Sequence, residues 1–140
     1  MARKIFPRNP VLLFPVLLVF AFLTACHPEP VVPQDARILI IDPAAESTRQ
    51  AGAVTIKTFV ERFELTDETG HIVYYMDVTP PMVQGETALT AAGSYAASTE
   101  KSHTWDNVPP GEHTFWVQLV NNDDTPLQPP QAVRVYVTVR

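Results

Sequence analysis

The chain contains one cysteine, Cys26, in 140 residues. A single thiol excludes an internal disulfide framework and a zinc site built from several thiolates. Basic residues are scarce as well: ten Lys and Arg stand against fifteen Asp and Glu, for a formal net charge of −5. That balance argues against a nucleic-acid partner, whose phosphates call for a basic surface, and against electrostatic docking on anionic lipid. There is no glycine-rich phosphate loop, no GxSxG elbow and no internal repeat. The longest apolar run, Val11 to Leu23, has thirteen residues and is interrupted by Pro15. A membrane-spanning helix needs about 20.

What is present begins with Arg3, Lys4 and Arg8, with no acid among the first ten residues. The apolar run follows, and then Leu23-Thr24-Ala25-Cys26. A basic start, a short apolar stretch and small residues before a processing point are the parts of a signal peptide. The tetrapeptide resembles the lipobox of bacterial lipoproteins. That resemblance implies a diacylglyceryl group on the Cys26 thiol, cleavage before Cys26 and acylation of the new amino terminus. Several acyl chains hold a protein stably on a bilayer without spanning it. The expected organisation is a signal peptide over 1–25, a lipidated cysteine and Pro-rich tether over 26–35, and one domain over 36–140.

Loss of Arg3, Lys4 and Arg8 leaves seven basic residues against fifteen acidic ones, a net charge of −8. The tether reads HPEPVVPQ from His27 to Gln34. It favours polyproline II at about 3 Å per residue and spaces the domain roughly 25 Å from the lipid. The expected location is the bacterial cell envelope, facing the periplasm or exterior. His27 follows the cysteine where an aspartate often signals inner-membrane retention, so the outer membrane is expected if the source has one.

Beyond the tether, period-2 alternation dominates. Ile38 to Ile41 is a short, fully apolar run, read as a strand buried on both faces or one that switches sheets. Ala44 to Gly52 is a polar, small-residue connection, and Pro43 to Gln50 could form a helical turn. Val54, Ile56, Thr58 and Val60 share one face, and Phe59, Phe63 and Leu65 follow the opposite phase, which calls for a bulge or bend near Glu61-Arg62. After the turn Thr66 to Gly70, Ile72, Tyr74 and Met76 oppose His71, Val73 and Tyr75. Residues 82–101 read as a long loop with at most an edge strand around Ala88 to Ala91. His113, Phe115, Val117 and Leu119 share a face, as do Val133, Val135, Val137 and Val139 against Arg134, Tyr136, Thr138 and Arg140. The pattern predicts an all-β, immunoglobulin-like antiparallel β-sandwich of about seven strands, with Trp105 or Trp116 as the large core aromatic. A partly open barrel is the alternative.

GHIVYYMDV (Gly70 to Val78), AAGSYAAS (Ala91 to Ser98) and SHTWDNVPPGEHTFWVQLVNNDDTPLQPP (Ser102 to Pro130) resemble an uncharacterised family of small exported bacterial and archaeal domains. Members sometimes accompany blue-copper-type domains. The resemblance implies a β-sandwich outside the cytoplasm and no established activity. Family members carry histidine where this chain has Val73 and Asp124, so a metal role carried over from them is weaker here.

His71, His103 and His113, with Met76 or Met82, are ligand types that suit copper or zinc. A blue-copper centre also needs a cysteine thiolate, and lipid on Cys26 removes the only one. Competing with the metal reading, His113 is read as a core-rim histidine bonded to backbone, and His71 and His103 as solvent-facing. Asp123 and Asp124 lack EF-hand spacing and read as turn residues. Glu61 with Glu64, and Asp67 with Glu68, read as solvated surface rather than paired catalytic carboxylates. The sequence therefore predicts no enzyme, no catalytic residue and no cofactor. The expected function is a lipid-anchored module that binds a protein or cell-envelope component, with Tyr75, Tyr136 and Trp116 facing outward. Copper or zinc handling by the three histidines is the alternative.

Overall fold

The computed structural model describes residues 35–140. The signal peptide, Cys26 and the tether up to Gln34 lie outside the described residues. Eight strands form: β1 (Arg37–Asp42), β2 (Ser47–Arg49), β3 (Gly52–Glu61), β4 (Gly70–Met76), β5 (Tyr95–Ser98), β6 (Ser102–Val108), β7 (Gly111–Asn121) and β8 (Pro126–Val139). They make a three-stranded sheet in the order β1-β3-β6 and a five-stranded sheet in the order β2-β8-β7-β4-β5. The two pack face to face as an immunoglobulin-like β-sandwich, with the first segment of the chain divided between the sheets.

The inward residues are those the alternation selects. Ile56, Val54 and Val60 of β3 meet Ile72 and Tyr74 of β4, Phe115, Val117 and Leu119 of β7, and Val135, Val137 and Val139 of β8. Trp105 closes this core from β6, and Ala36, just before β1, is already part of it. Trp116 lies on the other face of its sheet, against a second, smaller cluster.

Four local expectations are corrected. Ile38 to Ile41 is not buried on both faces: Ile38 is in the core while Leu39 and Ile41 are exposed. The sheet switch comes after that run, between Asp42 and Ser47, and β2 then pairs with β8 in parallel, so the sandwich is not wholly antiparallel. The segment allowed a helical turn at 43–50 carries β2 instead, which makes eight strands rather than seven. The edge strand of the long loop is β5 at Tyr95–Ser98, not Ala88 to Ala91. Ala88 is small enough to be fully buried in the loop, with its N–H donating to Asp124 O at 2.7 Å.

The expected bend is at Arg62, which has φ +54° immediately after β3 ends. It reverses the phase so that Phe63 and Leu65 pack on the core. In the next turn Thr66 and Gly70 exchange both backbone hydrogen bonds, at 3.0 and 2.9 Å. Gly70 has φ +154°, and a Cβ there would lie 2.1 Å from Val120 O. Only glycine permits that approach of β4 to β7.

Candidate functional site

The outer face of the five-stranded sheet is divided in two. Tyr75 and Val73 on β4 and Gln118 and Val120 on β7 point outward, yet all are fully buried. The loop between β4 and β5 lies over them. The Tyr75 hydroxyl is 2.8 Å from both Ala88 O and Gln118 Oε1, so its single proton is shared between two acceptors. Gln118 Nε2 donates to Pro81 O at 2.9 Å. Burial, then the nearby Asp124 carboxylate, push the Tyr75 hydroxyl pKa far above the ordinary tyrosine value. The parity reading placed Tyr75 on the correct face, and tertiary packing then covered it.

The other half of the face is open. Trp116 is registered against Arg134, and Thr114 against Tyr136, across the β7–β8 pair. The Arg134 guanidinium carbon lies 5.2 Å from the Trp116 ring centroid and 5.1 Å from that of Tyr136. This aromatic–cation–aromatic stack fixes both rings against the sheet. Tyr136 remains 47% exposed and forms the wall between two clefts. One, of about 280 Å³, is lined by Asp77, Thr79, Trp116 and Arg134. The other, of about 500 Å³, is lined by Glu46, Glu112, Thr114 and Thr138. Together they offer ring faces, hydroxyls, carboxylates and one guanidinium, the combination of apolar body and polar handles typical of recognition surfaces. Outward placement of Trp116 and Tyr136 follows from parity. Arg134 shares that parity, but nothing in the sequence links it to both rings.

The histidines occupy three separate environments. His71, on the outer face of β4, has Nε2 3.0 Å from Asp124 Oδ1, out of line for a hydrogen bond. Its side chain is only 16% accessible, so it is not solvent-facing as expected. His103 also turns inward, on the same face as Trp105: its ring packs edge-on to Trp105 at 4.8 Å and tilted over Tyr74 at 5.4 Å. Burial lowers its pKa, with Asp106 opposing.

His113 sits at the core rim and bonds backbone, as read from the sequence, through Nε2 to Pro109 O at 2.9 Å. Its Nδ1 meets Asp77 Oδ2 at 2.7 Å, a partner 36 residues away that the sequence could not indicate. Burial alone would lower its pKa, but the Asp77 hydrogen bond, the Pro109 carbonyl and the Asp77 charge raise it above the usual histidine value. Since Nε2 faces a carbonyl rather than a nucleophile, this His–Asp pair is a structural clasp. Asp77 Oδ1 accepts from Thr114 N at 2.8 Å, which ties the end of β4 to β7. Among the described residues, no group of three or more His, Cys, Asp or Glu side chains converges on a common point, so the three-histidine ligand set does not form.

Asp123 and Asp124 do the turn chemistry expected of them. Asp123 Oδ1 accepts from Thr125 Oγ1 at 2.6 Å and from Thr125 N at 3.1 Å, and Asp124 takes φ +63° in the β7–β8 hairpin.

No family model matches the chain, and no curated protein matches it. Among solved structures, fibronectin(III)-like modules of Clostridium thermocellum CbhA align with TM-score 0.45 and 15% identity over 74% of this chain and 45% of theirs. The extracellular domain of a one-component system from B. thetaiotaomicron aligns with TM-score 0.41 and 13% identity, over 69% of this chain and 12% of that one. A modular endo-beta-1,4-mannanase from Cellulomonas fimi aligns with TM-score 0.39 and 13% identity, over 75% of this chain and 18% of that one. This chain therefore spans less than half the length of each of these three.

Proposed function

We propose that the chain is a lipid-anchored, extracytoplasmic, non-enzymatic β-sandwich module that binds a protein or cell-envelope component. The binding surface is the open half of the five-stranded sheet. One observation carries this reading: the β4–β5 loop seals Tyr75 and Gln118 and half-buries Trp116, but leaves Arg134 and Tyr136 exposed beside two clefts.

Delivery rests on Leu23-Thr24-Ala25-Cys26. Cys26 carries the lipid, residues 26–35 form the tether, and the acidic surface keeps the domain off anionic lipid. The test has two arms. Globomycin should make the precursor accumulate, and Cys26→Ser should release the protein from membranes; unchanged processing and membrane association would refute the anchor. On the unanchored Cys26→Ser background, isolated envelope fragments should retain the chain and lose about tenfold in affinity for the added Tyr136→Ala change, in keeping with an exposed aromatic anchor. Equal retention of Tyr136→Ala and Arg134→Ala would remove the surface from consideration.

A further inference from the structure

The proposed binding surface, on which this inference rests, has the form of one groove. Its two clefts share Thr114 and Tyr136 and run along β7 from Glu112 to Trp116. At the rise of a β-strand that is about 13 Å, the reach of a chain rather than of one small molecule. β7 is paired with β4 on one side and β8 on the other, so its backbone groups are used within the sheet. An extended peptide that adds to a sheet needs a free edge, and β7 offers it none. Recognition along this strand therefore falls to side chains.

Their charges narrow the ligand class. Asp77 is held by His113 and by Thr114 N, which leaves Glu46 and Glu112 against Arg134. Among the described residues neither glutamate is in an ion pair. A polyanion would meet two carboxylates for one guanidinium. A cation would compete with Arg134, which already stacks on both rings, and exposed carboxylates alone hold a cation weakly. A wholly apolar ligand would cover Thr114, Thr138 and both glutamates without giving them hydrogen bonds. An uncharged polyhydroxy chain meets none of these costs. The two oxygens of a carboxylate accept from a pair of adjacent hydroxyls, and threonine hydroxyls both donate and accept. The C–H face of a sugar ring suits the negative face of an aromatic ring, and Tyr136 is 47% exposed.

We infer that the groove binds a linear, uncharged glycan whose sugars carry adjacent free hydroxyls. One sugar stacks on Tyr136. In the larger cleft Glu112 and Glu46 accept from hydroxyl pairs of the sugars on one side of it, and in the smaller cleft Arg134 donates to the sugar on the other side.

The test adds the full chain carrying Cys26→Ser to envelope fragments that have been stripped of lipid with chloroform–methanol and digested with proteinase K. These should retain it as untreated fragments do. Periodate cleaves the carbon–carbon bond between adjacent hydroxyls, so fragments oxidised with it, and quenched before the chain is added, should lose about tenfold or more in affinity. Raising salt from about 0.05 to 0.5 M should change retention by less than about twofold, because the ligand carries no charge to screen. Tyr136→Ala and Glu112→Ala should each weaken retention about tenfold, and Glu112, exposed on the surface, serves if Tyr136→Ala fails to fold. Loss of retention on the stripped and digested fragments, or indifference to periodate, overturns the glycan. If Tyr136→Ala still weakens binding to untreated fragments in that case, the binding surface stands with a protein or lipid ligand. A steep fall with salt overturns the glycan in favour of a charged ligand. No retention on untreated fragments, or retention indifferent to both substitutions, defeats surface and glycan together.

Discussion

The imidazole of His113 is held from both sides, with Nδ1 2.7 Å from Asp77 Oδ2 and Nε2 2.9 Å from Pro109 O. Both neighbours are acceptors, so the doubly protonated ring satisfies them together and the neutral ring only one of them. This clasp joins the end of β4, the β6–β7 turn and the start of β7, beside the larger cleft. It therefore controls the position of Thr114 and the rim of the proposed binding face.

The raised pKa of His113 makes stability depend on pH in a defined direction. Its folded value lies above the unfolded one, so its contribution is fully present below about pH 6.5 and is lost as pH rises through the folded value. His103, lowered by burial, acts oppositely: its contribution is present above about pH 6.5 and is lost as pH falls through its folded value. Thermal melts from pH 5 to 8 should show His113→Gln removing the component that weakens with rising pH. His103→Gln should remove the component that weakens with falling pH. Identical pH profiles for the two variants would contradict the assignment.

Gly70→Ala should be the most damaging of the five glycine-to-alanine changes. The new Cβ would lie 2.1 Å from Val120 O and 2.8 Å from Phe63 Cζ, at φ +154°. The backbone of β7 cannot yield as a flexible side chain would, and a loss of about 3 kcal/mol or more is expected in urea unfolding. Gly85→Ala, where nothing lies within 4 Å of the added carbon, is the comparison, and it carries only the cost of its φ of +75°.

Tyr75→Phe removes the hydroxyl shared by Ala88 O and Gln118 Oε1 and leaves buried acceptors without a donor. A loss of about 1–3 kcal/mol follows from that desolvation. Hydrogen exchange should accelerate selectively at the Ala88 amide, which donates to Asp124 O, and in the rest of the 79–94 loop, while the β3 amides stay protected. Uniform acceleration across both sheets would show that the tyrosine supports the whole fold rather than the loop.

Arg134→Lys keeps the charge but gives up the planar stacking between Trp116 and Tyr136. Stability should fall by about 0.5–1 kcal/mol. The Trp116 environment should become more exposed, read as a red shift in its fluorescence relative to a Trp105→Phe background. An unshifted spectrum would mean that the sheet positions the ring without the guanidinium.

The strand pattern of β7 and β8 was legible because each position's face depends only on whether its number is odd or even. The bend at Arg62 was legible for the same reason: a phase change in the apolar pattern has to be absorbed somewhere. Ile38 to Ile41 misled because an all-apolar run carries no parity signal, and only the register with β3 shows which side chains face out. β5 was missed because Tyr95 to Ser98 is short and small-sided, and it becomes a strand only by pairing with β4.

By itself the sequence determined the β-sandwich class, the inward valines of β8, the outward placement of Trp116 and Tyr136, and the turn role of Asp123 and Asp124. These are periodic or nearest-neighbour properties, set within a few residues. Only the tertiary structure decided that Tyr75 is sealed while Tyr136 stays open, that His103 packs on Trp105, and that His113 finds Asp77. Those outcomes depend on a long loop folding back over a sheet and on side chains meeting across the two layers. Contacts at such separations leave no local pattern in the chain.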